Sequence, residues 1–441
     1  MNMKKTIFNL KNKALRQKSV QQSNILAFNE KMTSTELKAL QLKKLKKLFI
    51  YVKSNVPYYQ EKFKNIEIED INTLKDWEKL PILTKEDIRN NTEDLKASHL
   101  SNNRFSSIQT GGSTGKPLTL YHDTNFPFET VSWRVLKWWN ITPYDNMAFI
   151  QRREVSGIPG AINKLLWYPT QRVFLNVSTM TEENMYTFYI QLIKKKPLVL
   201  QGYVAGVFEF AKFCQKNSLN IDFLKAIWVT AAPLPESSRT FMEGVLHAPV
   251  YDQYGCAEVF WISAECKKRE SMHVLSDIRY LEVLDNTDTS VATEVYGDIT
   301  ITDLENYAFP LIRYKNGDRG RYLNQTCSCG LSFPIMDKID GRVSDMLKFK
   351  SGKVIPAHHF VSLFDSNPKA IKDFQVFQHK NHSLTLFCVL PYEDSTGTIC
   401  EQKVEYLKKL TDYEVPVSLE VVDYIGHDNG KTRFIVSEAN S

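Results

Sequence analysis

The chain has 441 residues, of which 43% are hydrophobic, 12% aromatic and 24% charged. That composition supports a large core in more than one domain and excludes a disordered chain. A net charge of +6, from 56 basic and 50 acidic residues, weakly favours anionic ligands and falls well short of a nucleic-acid-binding protein.

No stretch of about 18 uncharged apolar residues occurs, so no transmembrane helix is expected. Residues 1–18 are basic but lack an apolar run and a small-residue cleavage site, so no secretory signal is expected. Seven cysteines argue for a reducing cytoplasm over a disulfide framework. Residues 1–100 form a mainly helical arm, in which Leu37, Leu40, Leu42, Leu45 and Leu48 recur at helical spacing. The lysines among them, Lys43, Lys44, Lys46 and Lys47, read as a solvated face. Pro57 interrupts the pattern, and Thr84 caps a helix beginning at Lys85. The middle alternates strands (226–230, 297–302) with helices (185–194, 204–216), which predicts α/β architecture. Beyond about 341 a small α/β tail follows: strand 384–389, helix 400–410 and strand 417–422. The expected division is 1–340 and 341–441.

Residues 110–116, Thr-Gly-Gly-Ser-Thr-Gly-Lys, have the chemistry of a phosphate cradle. Glycines allow close backbone approach, consecutive N–H groups form an anion-binding concavity, and Lys116 adds a cation. Pro117 stands where a P-loop NTPase has its metal-binding hydroxyl, which disfavours that reading. A flexible loop has the same composition. In Tyr254-Gly255-Cys256-Ala257-Glu258 a tyrosine face can stack on a purine and a carboxylate can hold a divalent cation. The same residues describe a hairpin with a core tyrosine. Asn316-Gly317 is a turn signal that puts Asp318 at a loop tip, where it can accept ribose hydroxyls; a plain surface hairpin reads alike. Gly341-Arg342 suits either a hinge with a phosphate clamp or a polar linker. Lys431, after Asn429-Gly430, is a projecting cation or simply a solvated one. Trp133, Trp138, Trp139, Trp167 and Tyr168 suit a core more than a pocket.

In order and spacing these motifs resemble the adenylate-forming superfamily, and within it the phenylacetate–CoA ligase and CapK-like branch. Lys53 to Tyr59, Leu80 to Lys85, Gln201-Gly202-Tyr203 and Thr230 to Pro235 carry further likeness, over roughly residues 35–435. The resemblance implies a large N-terminal α/β domain with sheets packed by helices, plus a small mobile lid carrying Lys431. It implies ATP-dependent activation of a carboxylic acid as an acyl-adenylate, then transfer to coenzyme A. Alternatives are transfer to an amine or hydroxyl in cell-surface polysaccharide assembly, or a silent nucleotide-binding scaffold. Thr110, Gly111, Gly112, Ser113, Thr114, Gly115 and Lys116 would hold the β- and γ-phosphates. Tyr254 and Gly255, with Ala232 and Pro233, would pack on adenine, and Glu258 would bind Mg²⁺. Asp318 would take the ribose, Arg342 the ribose or phosphate, and Lys431 the acyl carboxylate and α-phosphate. Ser344 or Asp345 would be the pivot. A homodimer is expected on the same ground.

Cys266, His273, Cys327 and Cys329 could complete a closed tetrahedral structural Zn²⁺ site, although the spacing is not that of a zinc finger. Free thiols are the alternative, and the resemblance favours zinc. Cys214, Cys256, Cys388 and Cys400 are expected to be structural fillers.

Overall fold

The computed structural model describes residues 3–109, 118–152, 157–339, 341–342, 347–355, 358–361, 363–364, 366–367, 370–390, 397–426 and 434–439. It divides into two compact units: Met1–Phe8 with Ile141–Asp252 and Ile339–Ser441, and Asn9–Asn140 with Gln253–Lys338.

In the first unit, four strands run parallel in the order Arg172–Asn176, Met147–Gln151, Val199–Tyr203, Ala226–Thr230. The apolar runs of Met147–Gln151 and Ala226–Thr230, each buried at its first four residues, suit a sheet covered on both faces. Helices Glu182–Lys195, Val204–Lys216 and Glu236–Leu246 supply Leu192, Val207, Phe210 and Met242 to a core shared with Ile150, Leu200 and Ile227. The helix expected over 185–194 starts earlier, at Glu182. Thr181 caps it, its hydroxyl accepting the Asn184 N–H at 3.2 Å.

The tail of this unit has strands in the order Val417–Val421, Leu384–Val389, Asp373–Gln378, Ile435–Ser437. Helix Gly397–Leu410 contributes Cys400, Val404 and Leu407 to its own core with Phe374, Val376 and Leu386. Buried Cys388 and Cys400 take filler positions there, as expected.

The helical arm dominates the start of the second unit. Helix Ser34–Asn55 opens with a capping box between Thr33 and Glu36. It buries Leu37, Gln41, Leu45, Leu48, Phe49 and Val52, while Leu40 and Leu42 are half-buried. Gln41 is tolerated inside because its amide donates to the Arg279 carbonyl at 3.3 Å. Lys44 departs from the solvated-face expectation. It lies one turn before Leu48 on the buried seam, donates to the Asp277 carbonyl at 2.7 Å and pairs with Glu305. Pro57 starts a new helix, Pro57–Lys62, at a position where its missing N–H costs nothing.

The arm packs on strands Arg279–Leu284, Gly297–Asp303 and Tyr314–Gly320, which pair antiparallel in that order. Trp77 and Tyr59 anchor it. The indole donates to the Thr302 hydroxyl at 3.2 Å, and the phenol donates to the Pro310 carbonyl at 3.0 Å.

Candidate nucleotide and metal sites

The Tyr-Gly-x-x-Glu segment is the tip of a hairpin between strands Val250–Cys256 and Phe260–Glu265. Tyr254 faces Ser263, the register then slips, and Gly255 faces Trp261. Only glycine fits there: a Cβ on Gly255 would stand 1.7 Å from the Phe260 carbonyl oxygen. Ala257, Glu258 and Val259 make the turn, and Phe260 closes it with φ of 59°, a conformation that glycine or asparagine usually supplies. Buried Arg279 fastens the hairpin from strand Arg279–Leu284. It donates to the Val259 carbonyl at 2.5 Å and to the Trp261 carbonyl at 3.0 Å. Its guanidinium is neutralised by Asp303 at 2.7 Å, both groups fully buried.

The strand Tyr314–Gly320 faces this hairpin with a row of polar side chains. Tyr314 donates to Glu258 Oε1 at 2.9 Å. Asp318 Oδ2 accepts from the Tyr254 hydroxyl at 2.8 Å and from Asn316 Nδ2 at 2.9 Å, and Asn316 also reaches the Tyr254 oxygen at 2.7 Å. Burial holds the Tyr254 and Tyr314 phenols well above their usual range, so both remain donors.

Asp318 therefore does not lie at a loop tip. Asn316-Gly317 is a bulge inside a strand, where Lys315 pairs with Thr300 and Arg319 with Asp298. Gly317, with φ of 87°, absorbs the extra length and turns Asp318 inward to 7% exposure. Tyr314 and Asn316 lie in the recognised motif, but motif reading gave them no site role. Period-two alternation would have grouped them with Asp318, since residues 314, 316 and 318 share one strand face. Arg279 and His122, whose Nε2 lies 2.9 Å from the Ala257 carbonyl, carry no such signal.

Tyr254, Gly255, Glu258 and Asp318 are thus brought together within one unit. Ala232 and Pro233 follow strand Ala226–Thr230 in the other unit, after Ala231 with its φ of 75°. Residues 110–117, which hold the hydroxyl/glycine/lysine run, lie outside the described residues, as do Ser344, Asp345 and Lys431. Gly341–Arg342 is a short strand. Cys256, within the Tyr-Gly-x-x-Glu segment, has its thiol raised well above the usual range by burial, which fits a filler and not a nucleophile. Trp133 and Trp139 are buried as expected of a core, whereas Tyr168 is exposed.

The cysteine–histidine group also assembles, in the same unit. The ligand atoms of Cys266, His273, Cys327 and Cys329 all lie within 4.8 Å of one another. Cys266 and Cys327 sulfurs are 3.5 Å apart, and Cys329 Sγ is 3.3 Å from His273 Nε2. Zn–S bonds of about 2.3 Å in a tetrahedron put neighbouring sulfurs roughly 3.8 Å apart, so these donors are close to metal spacing. The N–H groups of Lys268 and Leu331 each donate at 3.4 Å to the sulfur two residues earlier, which suits thiolates. Burial lowers the His273 imidazole, leaving it neutral as a ligand must be, and pushes the Cys327 thiol up to about 12. The four donors are grouped at the spacing a tetrahedral cation site would need.

No family model matches the chain. The phenylacetate–coenzyme A ligase of Aromatoleum evansii is 26% identical over 426 residues, covering 86% of this chain and 88% of the relative. The enzyme of that name from Escherichia coli K12 is 27% identical over 357 residues, covering 73% and 75%. The chain is thus similar to phenylacetate–coenzyme A ligases over most of its length. A solved 2-hydroxyisobutyryl-CoA ligase in its postadenylation state shares the fold, with a TM-score of 0.76 at 18% identity, over 93% of this chain and 91% of that one. A benzoate CoA ligase from Burkholderia xenovorans LB400 shares it over 76% and 68%, with a TM-score of 0.54 at 15% identity. This fold agrees with the mixed α/β architecture expected from the alternating elements. No helix among the described residues is long and apolar enough to cross a membrane.

Proposed function

We propose that this chain is an AMP-forming acid–thiol ligase. ATP and a carboxylic acid give an acyl-adenylate and pyrophosphate, and the thiol of coenzyme A then displaces AMP. The observation that supports it best is the polar face built from Tyr254, Asn316 and Asp318 beside Glu258. A buried carboxylate ringed by neutral donors is suited to exchange one of them for a ribose hydroxyl. The ring of Tyr254 is an aromatic surface for a purine.

In this reading Glu258 holds Mg²⁺, which would supply Lewis-acid neutralisation of phosphate charge. Lys116, with the hydroxyls of Thr110, Ser113 and Thr114, takes the β- and γ-phosphates. Lys431 stands between the acyl carboxylate and the α-phosphate, offsetting the repulsion of two anions during in-line attack. No general base is required, because a carboxylic acid is ionised at pH 7. The boundary near 340–341 serves as the joint about which the tail presents Lys431, with Arg342 contacting ribose or phosphate and Ser344 or Asp345 as pivot. Cys266, His273, Cys327 and Cys329 hold a structural Zn²⁺.

The test is pyrophosphate release from ATP and Mg²⁺ across a panel of aryl and short-chain carboxylic acids, with and without coenzyme A. Release that depends on one acid class, with coenzyme-dependent AMP formation, is the expected result. Nucleotide binding with no pyrophosphate release for any acid would overturn it.

A further inference from the structure

Glu258 sits on a turn whose conformation its own sequence does not favour. Phe260 occupies the left-handed region at φ of 59°. For a bulky side chain that conformation is disfavoured, and it persists only where surroundings over-determine it. What lies against Phe260 is the imidazole of His122, 4.0 Å away between ring centroids and inclined by only 13°. Phe128 closes the stack edge-on, at 5.3 Å from His122 and 4.8 Å from Phe260.

His122 is 2% exposed and belongs to strand Thr119–Asp123, which leaves the hydroxyl/glycine/lysine run. Its Nε2 lies 2.9 Å from the carbonyl oxygen of Ala257, the residue before Glu258. A carbonyl only accepts, so Nε2 carries the proton. Nδ1 has no hydrogen-bond partner among the described residues, so nothing there competes for the second tautomer. Burial lowers the imidazole below its usual range, against the opposing influence of the Ala257 hydrogen bond first and of Asp303 and Glu258 after it. The ring thus does two things at once. It stacks on the residue after the turn and donates to the residue before Glu258.

We propose that His122 is a positioning residue for the Glu258 carboxylate, fixing the 257–260 turn to the strand that leaves the phosphate-binding run. The inference rests on the reading of Glu258 as the Mg²⁺ ligand. It predicts that removing the Nε2–H donor loosens metal-dependent nucleotide binding and leaves the acid and coenzyme A sites untouched. A partly buried carbonyl left without its donor then shifts the turn, and with it the carboxylate.

The experiment uses the full chain. Calorimetric titration with ATP over a range of Mg²⁺ concentrations is run beside pyrophosphate-release kinetics for wild type, His122→Phe, His122→Met, His122→Gln and Glu258→Gln. Phe keeps the stack without the donor, Met keeps neither, and Gln keeps a donor at similar reach. The expected result is a roughly tenfold rise in half-saturating Mg²⁺ for His122→Phe and His122→Met, recovered to within about threefold by His122→Gln, as supporting shells of metal sites typically contribute 10–100-fold. Michaelis constants for acid and coenzyme A should stay unchanged. A Glu258→Gln variant with altered Mg²⁺ dependence beside unaltered His122→Phe and His122→Met would overturn the His122 role alone. Unchanged Mg²⁺ dependence in Glu258→Gln would overturn the metal reading and this inference with it. Equal losses in Phe, Met and Gln variants, tracking a fall in melting temperature, would reduce His122 to a core residue and also overturn it.

Discussion

Replacing Asp318 by alanine should abolish discrimination between ATP and 2′-deoxy-ATP. Asp318 is 7% exposed, and its Oδ2 accepts from Tyr254 at 2.8 Å and Asn316 at 2.9 Å. A hydrogen bond to a charged group contributes about 1.5–3 kcal/mol, or about 10- to 150-fold. The ribose hydroxyl does not meet a bare carboxylate, however, since this oxygen already has two donors. Binding exchanges one donor for another, and the net gain falls to the lower end, about tenfold. Wild-type kcat/KM should therefore be about tenfold higher for ATP than for 2′-deoxy-ATP, and the ratio should approach one in Asp318→Ala. Pyrophosphate release gives both values, and the ratio cancels any fall in active protein from the lost contacts to Tyr254 and Asn316. A variant that keeps the wild-type ratio would refute the ribose role, whatever its absolute rate.

Gly255→Ala should destabilise the chain by about 3 kcal/mol or more, because its Cβ would lie 1.7 Å from a backbone oxygen that cannot move without opening the hairpin; denaturant unfolding reads the loss, and a change below about 1 kcal/mol would contradict the geometry. One zinc per chain is expected by elemental analysis of protein never exposed to added metal. It should be lost in a Cys327→Ser, Cys329→Ser double variant together with a drop in melting temperature, and a metal-free wild type would end the zinc reading. Lys431→Ala should slow adenylation by about 10²-fold or more while thiolysis of a supplied acyl-adenylate is largely spared. Equal loss in both half-reactions would count against the tail alternating between them.

Much of the fold was legible because its signals are local. Strand Ala226–Thr230 and helix Val204–Lys216 appear at their expected bounds, where apolar runs of different length alternate. Thr84 caps its helix through a reciprocal bond with Asp87, as the sequence predicts. The cysteine–histidine group was legible from residue type together with the resemblance, although its members come from two segments more than 50 residues apart in the chain. What failed to show were features decided by partners distant in sequence. Asn316-Gly317 has the composition of a turn, and only pairing with Gly297–Asp303 makes it a bulge. Lys44 has the neighbours of a solvated lysine, and only the 277 carbonyl and Glu305 draw it inward.

The division between legible and illegible site residues follows the physics of charge. The proposed cations Lys116 and Lys431 each follow a glycine in a polar run, a setting that exposes a cation to an anionic substrate and can be recognised from the sequence around it. The carboxylates cannot be held that way. An acid group that must stay in place while a multiply charged substrate arrives needs donors arranged around it beforehand, and those donors must not add competing charge. Glu258 and Asp318 accordingly take neutral partners, Tyr314 for one and Tyr254 with Asn316 for the other. Buried Arg279, which fastens the same hairpin, is satisfied by Asp303 and spends its remaining donors on the hairpin backbone. Such a surround can be built only from facing strands, so the residues that support each carboxylate are dispersed along the sequence. They become visible as a set only when the strands pair.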